Sequence, residues 1–251
     1  MTIPKGTPPP QGWPAVVFVH GYVPPQQYQT TRNYASFVDA LAKSGIVVLK
    51  IDLRGHADSQ GEPGGAYYSA DYIVDTLNAY SALKKSPVVN PNNVSLWGHS
   101  MAGNVIFRSF VSHPDISKIV IWAGAVYTYD DMSQFRISDS SYRPPSTDSP
   151  VQKNRQLLFD TYGRFDPSNS FWKQVVPTNY LTGIKGSVQI HHAINDDVVN
   201  IGYSRNLTNL LDSTEIRHEL YEYPTGNHNL TGVNFNQAIK RTTDFIKEQS
   251  D

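Results

Sequence analysis

Three residue types that together turn a hydroxyl into a nucleophile stand far apart in this chain, each inside a short run of small or turn-forming residues. Ser100 sits in the middle of WGHSMAG, between the apolar run NVSLW and the helix-like run NVIFRSFV. Gly98, Ser100 and then Ala102 with Gly103 nearly fit G-x-S-x-G, with alanine where the second glycine usually stands. Small neighbours let a serine adopt a strained backbone at a sharp strand-to-helix turn and lift its hydroxyl above the sheet edge. The following helix then presents free N–H groups and the positive end of its dipole, which favours negative charge developing there. Taken alone, the pentapeptide also fits a serine that merely caps an ordinary helix.

A serine hydroxyl needs a base, and the base needs a group to orient it. His228 lies in the glycine-containing loop PTGNHNL, after the last strand-like run, and Asp196 and Asp197 lie in HHAINDDVVN, after SVQIHH. The order Ser, Asp, His, each at the C-terminal end of a strand, is the order expected of a nucleophile-elbow hydrolase working by acyl transfer. Upstream, HGY (20–22) is a glycine turn able to aim the Tyr22 backbone N–H at the same point as the N–H of Met101, making an oxyanion hole. This chemistry requires no cofactor. His191, His192, Asp196, Asp197 and His228 are also zinc-type ligands, but there is no H-E-x-x-H helix, and consecutive histidines in a strand point to opposite faces. The expected metal content is therefore none.

The elements that position these residues are legible in the hydrophobic pattern. AVVFVH (15–20), GIVVLKID (45–52), NVSLW, KIVIWAG and SVQIHH are short, β-branched, nearly continuous apolar runs, as expected of parallel strands covered on both faces. EIRHELYEY supplies a final strand. Between them, Tyr34, Phe37, Val38 and Leu41 recur at helical spacing, as do Tyr203, Leu207, Leu210 and Leu211, and Phe235 to Ile246 reads as a closing helix. Alternating strands and helices give an α/β class with a mostly parallel sheet and helices on both faces.

One region breaks the rhythm. Residues 127–186 hold many aromatics and arginines, the turn cluster PPSTDSP and the short helical pattern VQKNRQLLFDTY. An insertion this long reads as a helical cap or lid, with plain surface elaboration as the alternative. Its aromatics, Tyr127, Phe135 and Trp172 among them, either form the core of that cap or line an apolar substrate pocket. An aromatic or medium-chain acyl ester suits such a pocket, while Arg136, Arg143 and Arg155 leave room for an acidic substrate.

Composition removes several classes. The 251 residues carry 21 Lys+Arg against 22 Asp+Glu with no block of like charge, which leaves no footprint for nucleic acid. Cysteine is absent, so disulfides and thiolate metal sites are excluded. The opening MTIPKGTPPPQGWP does not read as a secretory signal, and no apolar run approaches the roughly 20 residues that span a bilayer. The expected partner is a small-molecule ester, the expected location cytoplasmic, and oligomeric state is left open.

Together, HGY (20–22), DLRGHADS (52–59), GHSMAG (98–103), HHAINDDVV (191–199) and GNHNL (226–230) make the chain resemble the α/β-hydrolase-fold serine hydrolases of the prolyl-oligopeptidase-type and dienelactone-hydrolase-like branch. Many single-domain members of that branch are carboxylesterases. The resemblance runs from about residue 13 onward and implies one α/β-hydrolase domain over 1–251 with a cap at 127–186. It favours Asp196 over Asp197, because H-A-I-N-D-D-V-V is similar to the family's H-G-x-x-D-x-x-V acid loop, with Ala193 at the glycine position. It gives Arg54, Gly55 and His56 a place on the rim of the site; His20 and His99 flank functional turns, where their imidazoles are expected to pack or to hydrogen-bond to backbone and not to react. Only about a dozen residues precede Ala15, so the usual N-terminal hairpin should be shortened or absent. No propeller-length segment accompanies the domain, which points to esters over peptides. An aminopeptidase or small-peptide hydrolase with the same triad is the second reading, and a non-catalytic binding protein on the same fold the third.

Overall fold

The computed structural model describes residues 1–64, 66–67, 69–163 and 165–248. Six strands form one parallel sheet: β1 (Trp13–Val19), β2 (Val47–Ile51), β3 (Val89–His99), β4 (Lys118–Trp122), β5 (Ser187–Ala193) and β6 (Arg217–Tyr223), in the order β2-β1-β3-β4-β5-β6. The near-continuous apolar runs reflect cover on both faces. Val16 and Phe18 of β1 pack with Trp97 and Trp122 beneath α1 (Ala35–Lys43) and α8 (Val233–Lys247). Ala15, Val17 and Val19 point the other way, toward α2 (Asp71–Lys84), α3 (Met101–Ser112) and α7 (Gly202–Leu211). Each fully buried Val, Ile or Phe of this kind contributes roughly 1.5–3 kcal/mol. This is the α/β-hydrolase architecture, with every strand delivering its C-terminal end to the same edge, where ligands of open α/β sheets bind.

Two features go beyond the pattern read from the sequence. The helix α2 carries no clean apolar stripe in the sequence: Thr76 is buried, donating its hydroxyl to Tyr72 O (2.7 Å), whereas Val74 is exposed. Among the described residues β1 is the first strand. Ahead of it, Thr2 makes an isolated antiparallel bridge to Val48, covering part of the β2 edge (2.8 and 2.9 Å).

The segment 127–186 carries α4 (Tyr129–Gln134), α5 (Pro150–Tyr162), α6 (Ser170–Val175) and a 3-10 turn at Pro177–Asn179 between β4 and β5. Thr128 and Asp131 close a capping box at the start of α4, and Ser149 caps α5 ahead of a proline in its first turn. No described helix is long and apolar enough to cross a membrane.

Candidate active site

Ser100 occupies the turn between β3 and α3 with φ 56° and ψ −123°, a conformation that a residue with a side chain rarely adopts. The surrounding contacts compel it. Ser100 N–H donates to Trp122 O (2.9 Å) and Gly103 N–H donates to Ser100 O (2.9 Å). A Cβ on Gly98 would fall 2.7 Å from Ala102 O, and one on Gly103 would fall 2.7 Å from the Gly124 Cα. The two glycines are thus required by close backbone approach. Alanine is tolerated at 102, where it is fully buried.

Next to this turn, Gly21 follows β1 so closely that a Cβ there would lie 3.1 Å from the Ser100 Cβ. His20 locks the turn: its Nδ1–H donates to Gly21 O (2.7 Å) and its Nε2 accepts Leu53 N–H (3.3 Å). Burial pulls the His20 pKa down to about 3, so the ring stays neutral. The N–H groups of Tyr22 and Met101 make no hydrogen bond among the described residues. The second of these is the orphan donor at the first position of a helix.

The acid loop follows β5. Asp196 Oδ1 accepts Val198 N–H and Val199 N–H (both 2.9 Å), and Oδ2 accepts His228 Nδ1–H (2.8 Å). The His192 Nε2–H is shared between that same Oδ2 (3.1 Å) and Val199 O (2.9 Å), with its Nδ1 accepting the Ser204 hydroxyl (2.7 Å). The Asp196 side chain is fully buried. Burial by itself would raise its pKa, but the donors from His192, His228 and the backbone outweigh it and hold the carboxyl well below the usual range. Asp197 is exposed. The acid and base loops are also tied side chain to loop: Asn195 Nδ2 donates to Asn227 Oδ1 (2.7 Å), and Asn227 N–H donates to Asn195 Oδ1 (3.0 Å).

His228 sits in a 3-10 turn, Asn227–Asn229, with its side chain 14% exposed. Its ring lies 4.5 Å from that of His99, the residue before Ser100. Asp196 holds Nδ1, which leaves Nε2 as the nitrogen able to accept a proton. The bond from Ser100 Oγ to His228 Nε2 is not closed here; such contacts are commonly loose before substrate binds and tighten in the complex.

Ser100 and Met101 line a cavity of about 830 Å³ beneath the inserted segment, in the size range of small-molecule sites. Tyr22, Tyr127, Leu157 and Val199 contribute to its wall. The Tyr22 hydroxyl accepts Arg143 N–H (2.9 Å) and donates to Arg143 O (3.3 Å), stitching the insertion to the turn after β1.

Of the three aromatics singled out for the pocket, only Tyr127 lines this cavity; Phe135 and Trp172 do not. Phe135 caps Gly202, whose missing side chain makes the room, and packs edge-on against Tyr203 (5.5 Å). Trp172 is buried among Phe159, Phe165 and Phe171, and its carbonyl accepts the Tyr129 hydroxyl (2.6 Å). It borders a separate cavity of about 170 Å³.

The β5 histidines and the rim arginine have structural partners. His191 and His192 face opposite sides of β5, the former bonded to Tyr223, Gln189 and Thr242. Arg54 is clamped by Asp71 and Asp75 (2.9 and 2.7 Å). Among the described residues no cluster of three or more His, Asp or Glu is arranged to hold a metal ion.

Comparison with known proteins agrees with this architecture. The family described as serine aminopeptidase, S33, matches residues 11–143, more than half of the chain. Human Protein ABHD12B is 31% identical over 94 residues, 38% of this chain and 24% of its own length. Across the first curated relatives the matched stretch spans 24 to 37% of their length. Among solved structures, Est1E from Butyrivibrio proteoclasticus with ferulic acid bound has a TM-score of 0.69 at 17% identity, covering 98% of this chain and 92% of that one. An acylaminoacyl peptidase scores 0.70 at 18% identity, covering 98% and 38%.

Proposed function

The chain belongs to the serine aminopeptidase S33 family of α/β-hydrolases, and from that premise we propose that it hydrolyses small carboxylic esters through Ser100, His228 and Asp196. The observation that carries the reading is the buried Asp196 bonded to His228 Nδ1 at the edge where the strained Ser100 opens on a cavity. Ser100 Oγ attacks the ester carbonyl while His228 Nε2 takes its proton, then passes it to the departing alkoxide, which leaves as the alcohol. Water repeats the sequence on the acyl-enzyme, releasing the acid and returning the proton to Ser100. The oxyanion would sit between the N–H groups of Tyr22 and Met101, and losing one such donor typically costs about 10²–10³ in turnover.

An aromatic or medium-chain acyl group is the proposed ligand of the cavity, for which Tyr127, Met132, Ile137 and Leu157 supply apolar wall. The likeness to Est1E, solved with ferulic acid bound, supports the ester reading and the branch suggested by the sequence motifs. Peptide hydrolysis is the second reading. The family description favours it, and Glu62 and Asp139 on the cavity wall offer carboxylates to a substrate ammonium.

A panel of nitrophenyl esters and aminoacyl nitroanilides, run on wild type and Ser100→Ala, separates these. Ester turnover abolished by the substitution, with little anilide turnover, is the expected result. Anilide preference moves the assignment to a peptidase, and full ester turnover by Ser100→Ala removes it. Wild type that neither turns over any substrate nor reacts with a fluorophosphonate would identify a binding protein.

A further inference from the structure

One part-buried polar chain joins three of the loops that meet at this edge, and the reaction above makes no use of it. Gly21 N–H donates to Tyr34 Oη (2.9 Å), the Tyr34 hydroxyl donates to His99 Nδ1 (2.9 Å), and His99 Nε2–H donates to the main-chain carbonyl of His228 (2.9 Å). The direction is forced from one end. A carbonyl only accepts, so His99 carries its proton on Nε2; Nδ1 must then accept, and the hydroxyl's free lone pair takes the Gly21 amide. Burial holds the His99 pKa down to about 3, keeping the neutral ring that this pattern needs.

Each end of the chain meets a different part of the proposed machinery. Gly21 precedes Tyr22, whose amide is one oxyanion donor; His99 precedes Ser100; and the last acceptor belongs to His228 itself. Tyr34 is held in place despite a left-handed backbone (φ 63°), its ring packed edge-on against Phe18 and Trp97 and tilted against Phe37. A non-glycine residue kept in that conformation signals a surrounding structure that over-determines it. There is little slack at the turn either: a Cβ on Gly21 would come within 2.7 Å of Tyr34 Oη. The base loop has only the short 3-10 turn Asn227–Asn229 and its bonds to Asn195 to hold it, and both Asn227 and Leu230 have positive φ (51° and 50°).

We propose that Tyr34 and His99 are positioning residues, holding the Tyr22 amide and the His228 imidazole in register with Ser100. The proposal rests on the ester-hydrolysis reading above. Tyr34→Phe keeps the ring and removes only the hydroxyl. His99→Gln can still accept through Oε1 and donate through Nε2, whereas His99→Leu can do neither.

The test compares kcat and KM of these variants on the best nitrophenyl ester, at a temperature where melting curves show each one folded. Displacements near 1 Å can cost about 10²-fold, so Tyr34→Phe should lose about 10-fold and His99→Leu about 10²-fold in kcat, with KM within about twofold. His99→Gln should recover most of what His99→Leu loses. A purely structural role would lower melting temperature and leave kcat alone, and that outcome for Tyr34→Phe overturns the proposal, as does equal kcat for His99→Gln and His99→Leu. If His99→Leu does not fold, Tyr34→Phe decides alone. Wild type and Ser100→Ala are measured first: an inactive wild type brings down the ester reading and this inference together, whereas an active wild type matched by Tyr34→Phe brings down this inference only.

Discussion

The edge that carries Ser100 and the roof above it are built on opposite plans. At the edge, the acid and base loops are firmly held: Asp196 takes two backbone N–H groups and the His228 ring, and the two loops are cross-linked through Asn195 and Asn227. In the roof, none of the 13 residues of α5 is buried, and Leu157 stands 62% exposed although it also borders the cavity. Reactive groups have to be held within fractions of an ångström, and packed, hydrogen-bonded strand ends do that. Selecting a substrate requires shape and an entrance, which a lightly anchored helix supplies. Substitutions at the edge should therefore act on turnover, and substitutions in the roof on substrate choice.

The largest effect should come from Asp196→Asn, which keeps the shape of the side chain but favours the wrong tautomer of His228; kcat should fall by about 10³–10⁴. Steady-state kinetics on a good ester check this, and a loss under tenfold would mean that the edge is not organised around that carboxylate. Acid should also attack the edge. His20, His99 and His191 are each held neutral, with pKa values pulled by burial from 6.5 to about 3. Between those limits the unfolded chain binds protons that the fold excludes, so their contribution is complete above about 6.5 and declines as pH falls toward 3. The depressed Asp196 pKa adds in the same direction at the acid end. Urea unfolding at stepped pH should show uptake of about three protons near pH 5; an unfolding free energy flat between pH 6.5 and 4.5 contradicts it.

Gly21→Ala tests how tightly the edge is packed. The new methyl would meet Tyr34 Oη, His99 O and the Ser100 Cβ at 2.7, 2.9 and 3.1 Å. Displacement of the turn should cost about 10² in kcat, measured against an unchanged circular dichroism spectrum. The smallest effect on stability belongs to Leu157→Ala in the roof, within about 0.5 kcal/mol. Its KM should rise several-fold for long or aromatic acyl esters and hardly at all for acetate esters. If kcat for acetyl esters collapses instead, the division between edge and roof does not hold.

This division also explains what the sequence discloses. The strands, the glycine turns and the loops bearing Ser100, Asp196 and His228 are local patterns, each readable within about ten residues, because the backbone conformation dictates the residue type there. Tyr34 shows the limit. Its spacing with Phe37, Val38 and Leu41 reads as the apolar face of a helix, yet it stands just ahead of α1 with its hydroxyl bonded to Gly21 and to His99, 65 positions away. His192 beside Asp196 is similar: the pair of histidines is visible, but only the alternation of β5 reveals which one turns toward the acid. Phe135 and Trp172 lie away from the cavity at Ser100 for a third reason. An aromatic in a short, irregular helix serves a cap core or a cavity wall equally well, and only the fit of Phe135 over Gly202 and of Trp172 among three phenylalanines decides. Helix α2 is hard to read from its sequence because a buried threonine and an exposed valine blur its stripe.

The most direct test of the central claim is covalent. Treating the folded protein with a fluorophosphonate and locating the adduct by peptide mass spectrometry should place one phosphonyl group on Ser100, with labelling greatly slowed in His228→Ala and absent in Ser100→Ala. An adduct on another residue, or equal labelling of wild type and Ser100→Ala, would contradict the account.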